Sequence, residues 1–425
     1  MISRFTFSQR ILGFGVALLL FSTAVYSQTS RPRRVRQSSK TTSKNEKPAA
    51  DPLLRPEPVN TPSAKRADPN APLLDVQPVN PVVNTVASAS ADTTHAYALL
   101  EQKQFAAAAK EAKELTGRYP NDPEAWKIAG FAELNLKQYG DAASDLEKAI
   151  ELQRKTKQDD PNTQSALGQA YVLSEKYQQA LPLLVAATTR SGSPPDSLML
   201  YYRGIAEYKT GKTADAENTF NAVVKLNPKD SLSLFYLGQI SLAKNDLDGA
   251  IASLNRATVN DARLTGGWTL LTSAYLRRAA TSGDQSKADA DYLNAVRAGE
   301  GLIKLRTDAE AVTLFGQALI GAKQYARAAA ALERATTGAD ATGVTYYLLG
   351  VANSRATNFP KAIAALETAA KKSPEDANVY RELGYAYEVS KQYAKALAAY
   401  QKGATLAPAD ADFKESIERV KPFAK

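Results

Sequence analysis

From residue 89 onward, apolar residues return every three to four positions in short runs, and the runs themselves return at a nearly fixed interval. Trp126, Ala129, Gly130 and Glu133, like Tyr380, Leu383, Gly384 and Tyr387, fall at i, i+3, i+4 and i+7, the stripe of a short amphipathic helix. A second helix follows, with an alanine, a larger apolar residue four later and a small one three beyond: Ala142, Leu146, Ala149; Ala250, Leu254, Ala257; Ala362, Leu366, Ala369. Glycines 130, 168, 204, 238, 316, 350 and 384 each precede an alanine by twelve positions, and neighbouring glycines stand 34, 36 or 38 residues apart within each run. Ala96 with Ala108 adds an earlier copy, and Thr272 marks one that has lost its glycine. The pattern predicts nine helix-turn-helix units.

The chemistry of the repeat explains its residue types. Gly or Ala on the first helix and Ala on the second let two backbones approach, while the larger residues fill the space between successive pairs. Turns such as KQY (137–139, 323–325 and 391–393), EKY (175–177) and NDL (245–247) separate the helices, and Pro120, Pro228, Pro374 and Pro408 end several units. One unit cannot bury its own apolar face, so stacking into a solenoid is obligatory.

In LGYAYEVSKQYAKALAAYQKG (383–403), LGYAY, YAKALAAY and the following Pro408 spell the pattern most clearly. Here the chain resembles the tetratricopeptide repeat family, over residues 89–408. The resemblance implies an all-α, right-handed superhelical solenoid whose concave groove binds peptides or partner proteins. Residues 409–425 are expected to add a C-terminal capping helix, with Asp412 as N-cap and Phe413, Ile417 and Val420 on one face. Ten extra residues between Trp268 and Gly316 should lengthen the turn and second helix around SGDQ.

Upstream the pattern is absent. Residues 1–27 read as an export signal: Arg4 and Arg10 precede the apolar run ILGFGVALLLFSTAV, with cleavage expected after Ser27. The run is short for a membrane span, yet RPRRVR behind it opposes translocation and keeps an uncleaved inner-membrane anchor as the alternative. Residues 28–88 are rich in Pro, Ser, Thr and charge without periodicity, and are expected to be a disordered linker. Within them PLLRPEPVN (52–60) returns as PLLDVQPVN (72–80). This duplication is either a spacer or a bivalent linear motif presenting Leu53 and Leu54, then Leu73 and Leu74.

Charge and composition narrow the function. Of the net charge of +9, the signal carries +2 and residues 28–90 carry +5, leaving +2 from residue 91 onward. The body therefore lacks the electrostatics of a nucleic-acid-binding domain, although Arg31, Arg33, Arg34 and Arg36 could meet an anionic envelope polymer. With no cysteine and a single histidine, His95, thiolate metal sites, cysteine nucleophiles and lipid attachment at a cysteine are excluded. A serine triad would have to use His95, which sits at a framework place with no triad partners or ligands clustered beside it. AEYKTGKT (206–213) fits a relaxed phosphate-loop pattern, but Gly211, Lys212 and Thr213 fall in an inter-helix turn without a strand. Carboxylates are expected on solvated faces and in i,i+4 pairs. No catalytic residue, metal or cofactor is expected.

The informative surface is the first helices' other stripe: Lys127 and Phe131, Tyr201 and Tyr208, Phe235 and Gln239, Tyr347, then Arg381, Tyr385 and Glu388. By the resemblance it faces the groove, although packing between adjacent first helices must claim some of it. Tyrosine and arginine suit partner contact because they bury area while keeping a polar handle. Phe131 and Tyr385 occupy places where a carboxylate-gripping clamp would need asparagine. The expected function is a non-catalytic scaffold or adaptor at the bacterial periplasm or envelope, binding other proteins or peptides.

Overall fold

The computed structural model describes residues 90–190, 196–338 and 340–424. The signal, the linker, the duplicated PLL motifs and the arginine cluster lie outside the described residues. Among those described, nineteen α-helices and no strand are present. First helices are α1 (Thr94–Glu101), α3 (Pro123–Asn135), α5 (Pro161–Leu173), α7 (Ser197–Lys209), α9 (Ser231–Ala243), α11 (Thr265–Thr281), α13 (Ala309–Gly321), α15 (Gly343–Arg355) and α17 (Ala377–Val389). They alternate with α2 (Phe105–Arg118), α4 (Tyr139–Lys155), α6 (Tyr177–Thr188), α8 (Thr213–Leu226), α10 (Leu247–Asn260), α12 (Gln285–Ile303), α14 (Tyr325–Ala335), α16 (Phe359–Lys372) and α18 (Tyr393–Leu406). A last helix, α19 (Ala411–Val420), runs into a 3-10 turn at Lys421–Phe423. Two compact units divide them, one through Lys372 and one from Ser373. In the first, α1 to α16 form eight pairs, each helix packed on the next along the chain. In the second, α18 packs on α17 and α19 on α18.

Three registers, counted from the repeat glycine, build the seven pairs that carry one. Eight residues before it stands the N-cap: Asp122, Asp160, Asp196, Asp230, Asp308, Thr342 and Asp376 each accept a first-turn backbone N–H. Seven after it stands a turn residue with a left-handed backbone: Lys137, Glu175, Gly211, Asn245, Lys323, Thr357 and Lys391. Sixteen after it stands the side chain that the missing Cβ admits. A Cβ on Gly130 would lie 2.6 Å from Leu146, on Gly204 2.7 Å from Phe220, on Gly238 2.5 Å from Leu254, and on Gly384 2.5 Å from Tyr400. Those partners are all fully buried or nearly so.

The turn register carries a testable cost. Thr357, a β-branched residue at φ 62°, holds the conformation that its counterpart Gly211 adopts without a Cβ. Thr357→Gly should stabilise the array by about 0.5–1.5 kcal/mol in urea unfolding, relief of strain exceeding the added unfolded-state entropy; a loss of stability would show the turn to be unstrained.

The sixth pair departs from expectation in an instructive way. Its extra residues enter both helices, giving 17 residues in α11 and 19 in α12, while the turn stays three residues long at Ser282–Asp284. Helix is the state in which added residues satisfy their own backbone hydrogen bonds. At the C-terminus the N-cap of α19 is Asp410, which accepts from the N–H of Asp412; Asp412 itself lies in the first turn. Position 410 continues the cap register of the preceding pairs, and the predicted Asp412 is displaced by two residues for that reason. Phe413 and Val420 are buried and Ile417 is half-buried.

Candidate partner-binding face

Within the unit ending at Lys372, the predicted stripe separates into distinct environments. The Lys127 Nζ is held 2.6 Å from Glu124 and 3.3 Å from Asp160, the N-cap of α5, so this lysine ties one first helix to the next. Phe131 and Tyr347 are buried, at 6% and 8% exposure. Tyr201 and Tyr208 on α7, and Phe235 and Gln239 on α9, are half-buried. Within the unit from Ser373, Arg381 is ion-paired with Asp410, donates to Asn378 at 2.6 Å and lies over the Phe413 ring at 4.8 Å. Glu388 accepts from Tyr400 at 2.8 Å and from Arg419 at 2.7 and 3.0 Å. Burial opposes ionisation of Glu388, but Arg419 and the Tyr400 hydroxyl outweigh it and hold the carboxyl below its ordinary value. Both side chains are thus engaged with the elements around α19, while Tyr385 is half-buried.

The structure brings Tyr201, Tyr208 and Phe235 together through a residue the stripe omitted, Tyr236. Gly204 leaves room for Phe220 of α8 to press against α7, and the Phe220 ring stacks on Tyr236 at 4.9 Å, 3° from parallel. Tyr236 then meets Tyr208 edge-on at 5.5 Å, Tyr201 at 6.4 Å and Phe235 at 5.8 Å. Gly266, at the start of α11, adds to the fit: a Cβ there would lie 3.1 Å from the Phe235 ring. The result is a contiguous aromatic patch across two first helices.

Its hydroxyls differ from those elsewhere. Tyr171 donates to Glu147 at 2.7 Å, Tyr202 accepts from Gln169 at 3.0 Å, and Tyr275 accepts from Asn255 at 2.9 Å. The hydroxyls of Tyr201, Tyr208 and Tyr236 make no hydrogen bond to a described residue, and none is sealed from solvent. Burial raises all three above the ordinary tyrosine value, so they stay protonated donors at neutral pH. Half-buried rings with open donors can grip an apolar segment and bond to its carbonyls.

Charge is handled inside the pairs as well as on their surfaces, contrary to the sequence expectation. Glu133, Asp145, Glu207 and Asp291 are nearly fully buried. Lys113 lies 3.0 Å from Glu133 and 2.6 Å from Asp145; Arg203 and Thr219 hold Glu207 at 2.7 and 2.6 Å; Arg278 grips Asp291 at 2.8 and 2.6 Å. Lys113 and Arg278 reach their carboxylates from another helix, geometry that a linear charge pattern does not encode, whereas Arg203 and Glu207 are an i,i+4 pair on α7. Burial pushes the Glu133 carboxyl up against the opposing pull of Lys113. His95 is exposed, its Nδ1 2.7 Å from Glu111, beside a groove of about 640 Å³ between α1 and α2 lined also by Leu99, Leu115 and Tyr119. Gly211 is the left-handed turn residue of the fourth pair, where its neighbours carry Glu175 and Asn245. No helix among the described residues is long and apolar enough to cross a membrane.

Comparison with known proteins bears on most of the array. The tetratricopeptide repeat family model matches residues 93–160, 165–217, 203–263 and 347–411, more than half of the chain. No curated protein sequence matches. Among solved structures, YrrB, described as a TPR protein with an unusual peptide-binding site, is 16% identical; the match covers 47% of this chain and 97% of that one, with a TM-score of 0.38. MamA (41-end) from Desulfovibrio magneticus RS-1 is 23% identical, with 43% and 97% covered and a TM-score of 0.37. The C-terminal part of a TPR repeat-containing protein from Cytophaga hutchinsonii is 16% identical, with 69% and 99% covered and a TM-score of 0.41.

Proposed function

Because the chain belongs to the tetratricopeptide repeat family, whose members are generally protein-interaction scaffolds, we propose that it is a non-catalytic scaffold or adaptor of the bacterial periplasm or cell envelope, holding a partner protein or peptide on its first helices. The aromatic patch of Tyr201, Tyr208, Phe235 and Tyr236 carries this reading. It offers apolar area with donors that the fold itself does not use. Aromatic residues with a polar tip are the side chains that concentrate binding energy at protein interfaces. The basic, apolar, small-residue order of residues 1–27 supports export.

A photocrosslinking residue at Gln239 of the full chain, exposed to native envelopes, tests it. Capture should fall by at least roughly tenfold in a Tyr208→Ser, Phe235→Ser variant, the loss of about 1.4 kcal/mol of contact energy. Capture that survives both substitutions would overturn the reading. Capture that instead disappears on replacing Arg31, Arg33, Arg34 and Arg36, and weakens steeply with salt, would move the function to polymer binding by the linker.

A further inference from the structure

The patch and the duplicated motif answer each other chemically, and we propose that residues 72–80, PLLDVQPVN, dock on the patch of Tyr201, Tyr208, Phe235 and Tyr236 within the same molecule, in competition with the partner. The inference rests on the partner-binding reading of that face and names its resident occupant.

Four observations carry it. First, the patch sets four half-buried rings against one another, together with three hydroxyl donors that no described residue engages. Proline-containing segments are the complementary chemistry: their rings lie flat on aromatic surfaces, their backbones are preordered, and their carbonyls seek donors that the segment itself lacks. Second, PLLDVQPVN supplies Pro72 and Pro78, the apolar pair Leu73 and Leu74, and Pro81 directly after it. Third, the reach is sufficient. Up to Ser90 the chain extends roughly 36–40 Å from Val79 and roughly 53–58 Å from Leu74, while α7 and α9, which carry the patch, lie three and four first-helix steps from α1, roughly 24–30 and 32–40 Å at 8–10 Å per step. Fourth, attachment next to α1 gives such a segment a local concentration on the order of millimolar, so a contact of modest intrinsic strength is populated.

A cysteine-pair experiment in the full chain tests this directly, because the native sequence contains no cysteine to interfere. Val76→Cys is combined with Gln239→Cys beside the patch, and in a control with Lys225→Cys on the exposed side of α8. Under mild oxidation the 76/239 pair should close at least roughly tenfold faster than the 76/225 pair, at a rate independent of protein concentration. Leu73→Asp with Leu74→Asp, or Tyr208→Ser with Phe235→Ser, should erase that preference. Equal closure of the two pairs would overturn the proposal. So would disulfides forming between molecules in proportion to concentration, which would make a second copy the occupant.

Envelope capture through Gln239 separates this inference from the reading beneath it. If the segment competes with the partner, Leu73→Asp with Leu74→Asp raises capture. Patch-dependent capture with no 76/239 preference overturns the self-docking and leaves the partner-binding face standing. A 76/239 preference with patch-independent capture overturns the competition and the partner-binding reading, and leaves only an intramolecular contact.

Discussion

Phe413→Ala is expected to cost about 3–5 kcal/mol of local stability, with amide protection lost across α18 and α19. Phe413 is fully buried, its ring edge fills the space left by Gly403, and the Arg381 guanidinium covers its face at 4.8 Å. Truncation removes the largest apolar side chain of a ten-residue helix that has only one further fully buried anchor, Val420. It also uncovers a guanidinium whose ion-pair partner, Asp410, caps the same helix. Hydrogen exchange read by mass spectrometry should show α18 and α19 exposed while the helices through Lys372 keep their protection. A loss under about 1 kcal/mol would mean that α19 is held by its caps and ion pairs instead of by the ring.

The second large effect belongs to the glycine register. Leu254→Ala should cost about 2–5 kcal/mol, since Leu254 is fully buried. Gly238→Ala should cost about 1–3 kcal/mol from overpacking, partly offset by up to about 1 kcal/mol of helix propensity, because the new Cβ would lie 2.5 Å from the Leu254 side chain. Combined, the two should not add: with Leu254 shortened, the alanine at 238 fits, and only its propensity gain remains. Urea unfolding of the four proteins in the cycle should give a favourable coupling of about 1–3 kcal/mol. Additivity within about 0.5 kcal/mol would show that the close approach is not what selects glycine.

These two cases also mark what the sequence made legible. The repeat interval, the helix pairs, the glycine–alanine approach and the burial of Phe413 follow from one-dimensional spacing, because helical periodicity and stacking translate directly into positions. The proposed binding face follows only in part. Counting from the glycine placed Tyr201, Tyr208 and Phe235 on a shared surface, but left out Tyr236, which lies two residues before Gly238 and is drawn in by the stacking of Phe220 from another helix. The aromatic residue at the sixteenth position after Gly204, where the flanking pairs carry leucine, was the available signal. Lys127, Arg381 and Glu388 illustrate the converse. Their spacing puts them on the stripe, yet each is engaged by a charge at the helix two along, Asp160, Asp410 and Arg419 respectively. A stripe reports which way a residue faces and not what is waiting there. The buried carboxylate Glu133 was missed for the same reason, since its cation Lys113 arrives from a different helix.

The two tryptophans have a practical consequence. Trp126 and Trp268 occupy the same register in the second and sixth pairs, and each indole donates to a carbonyl six residues earlier, Pro120 at 2.9 Å and Ala262 at 3.0 Å. They are the only indoles in the chain, and both precede Ser373. Native emission is therefore an optical readout of two places in one unit. Melting of α17 to α19 is invisible at that wavelength, so a fluorescence transition taken as the unfolding of the whole chain would assign its C-terminal helices a stability that belongs to others.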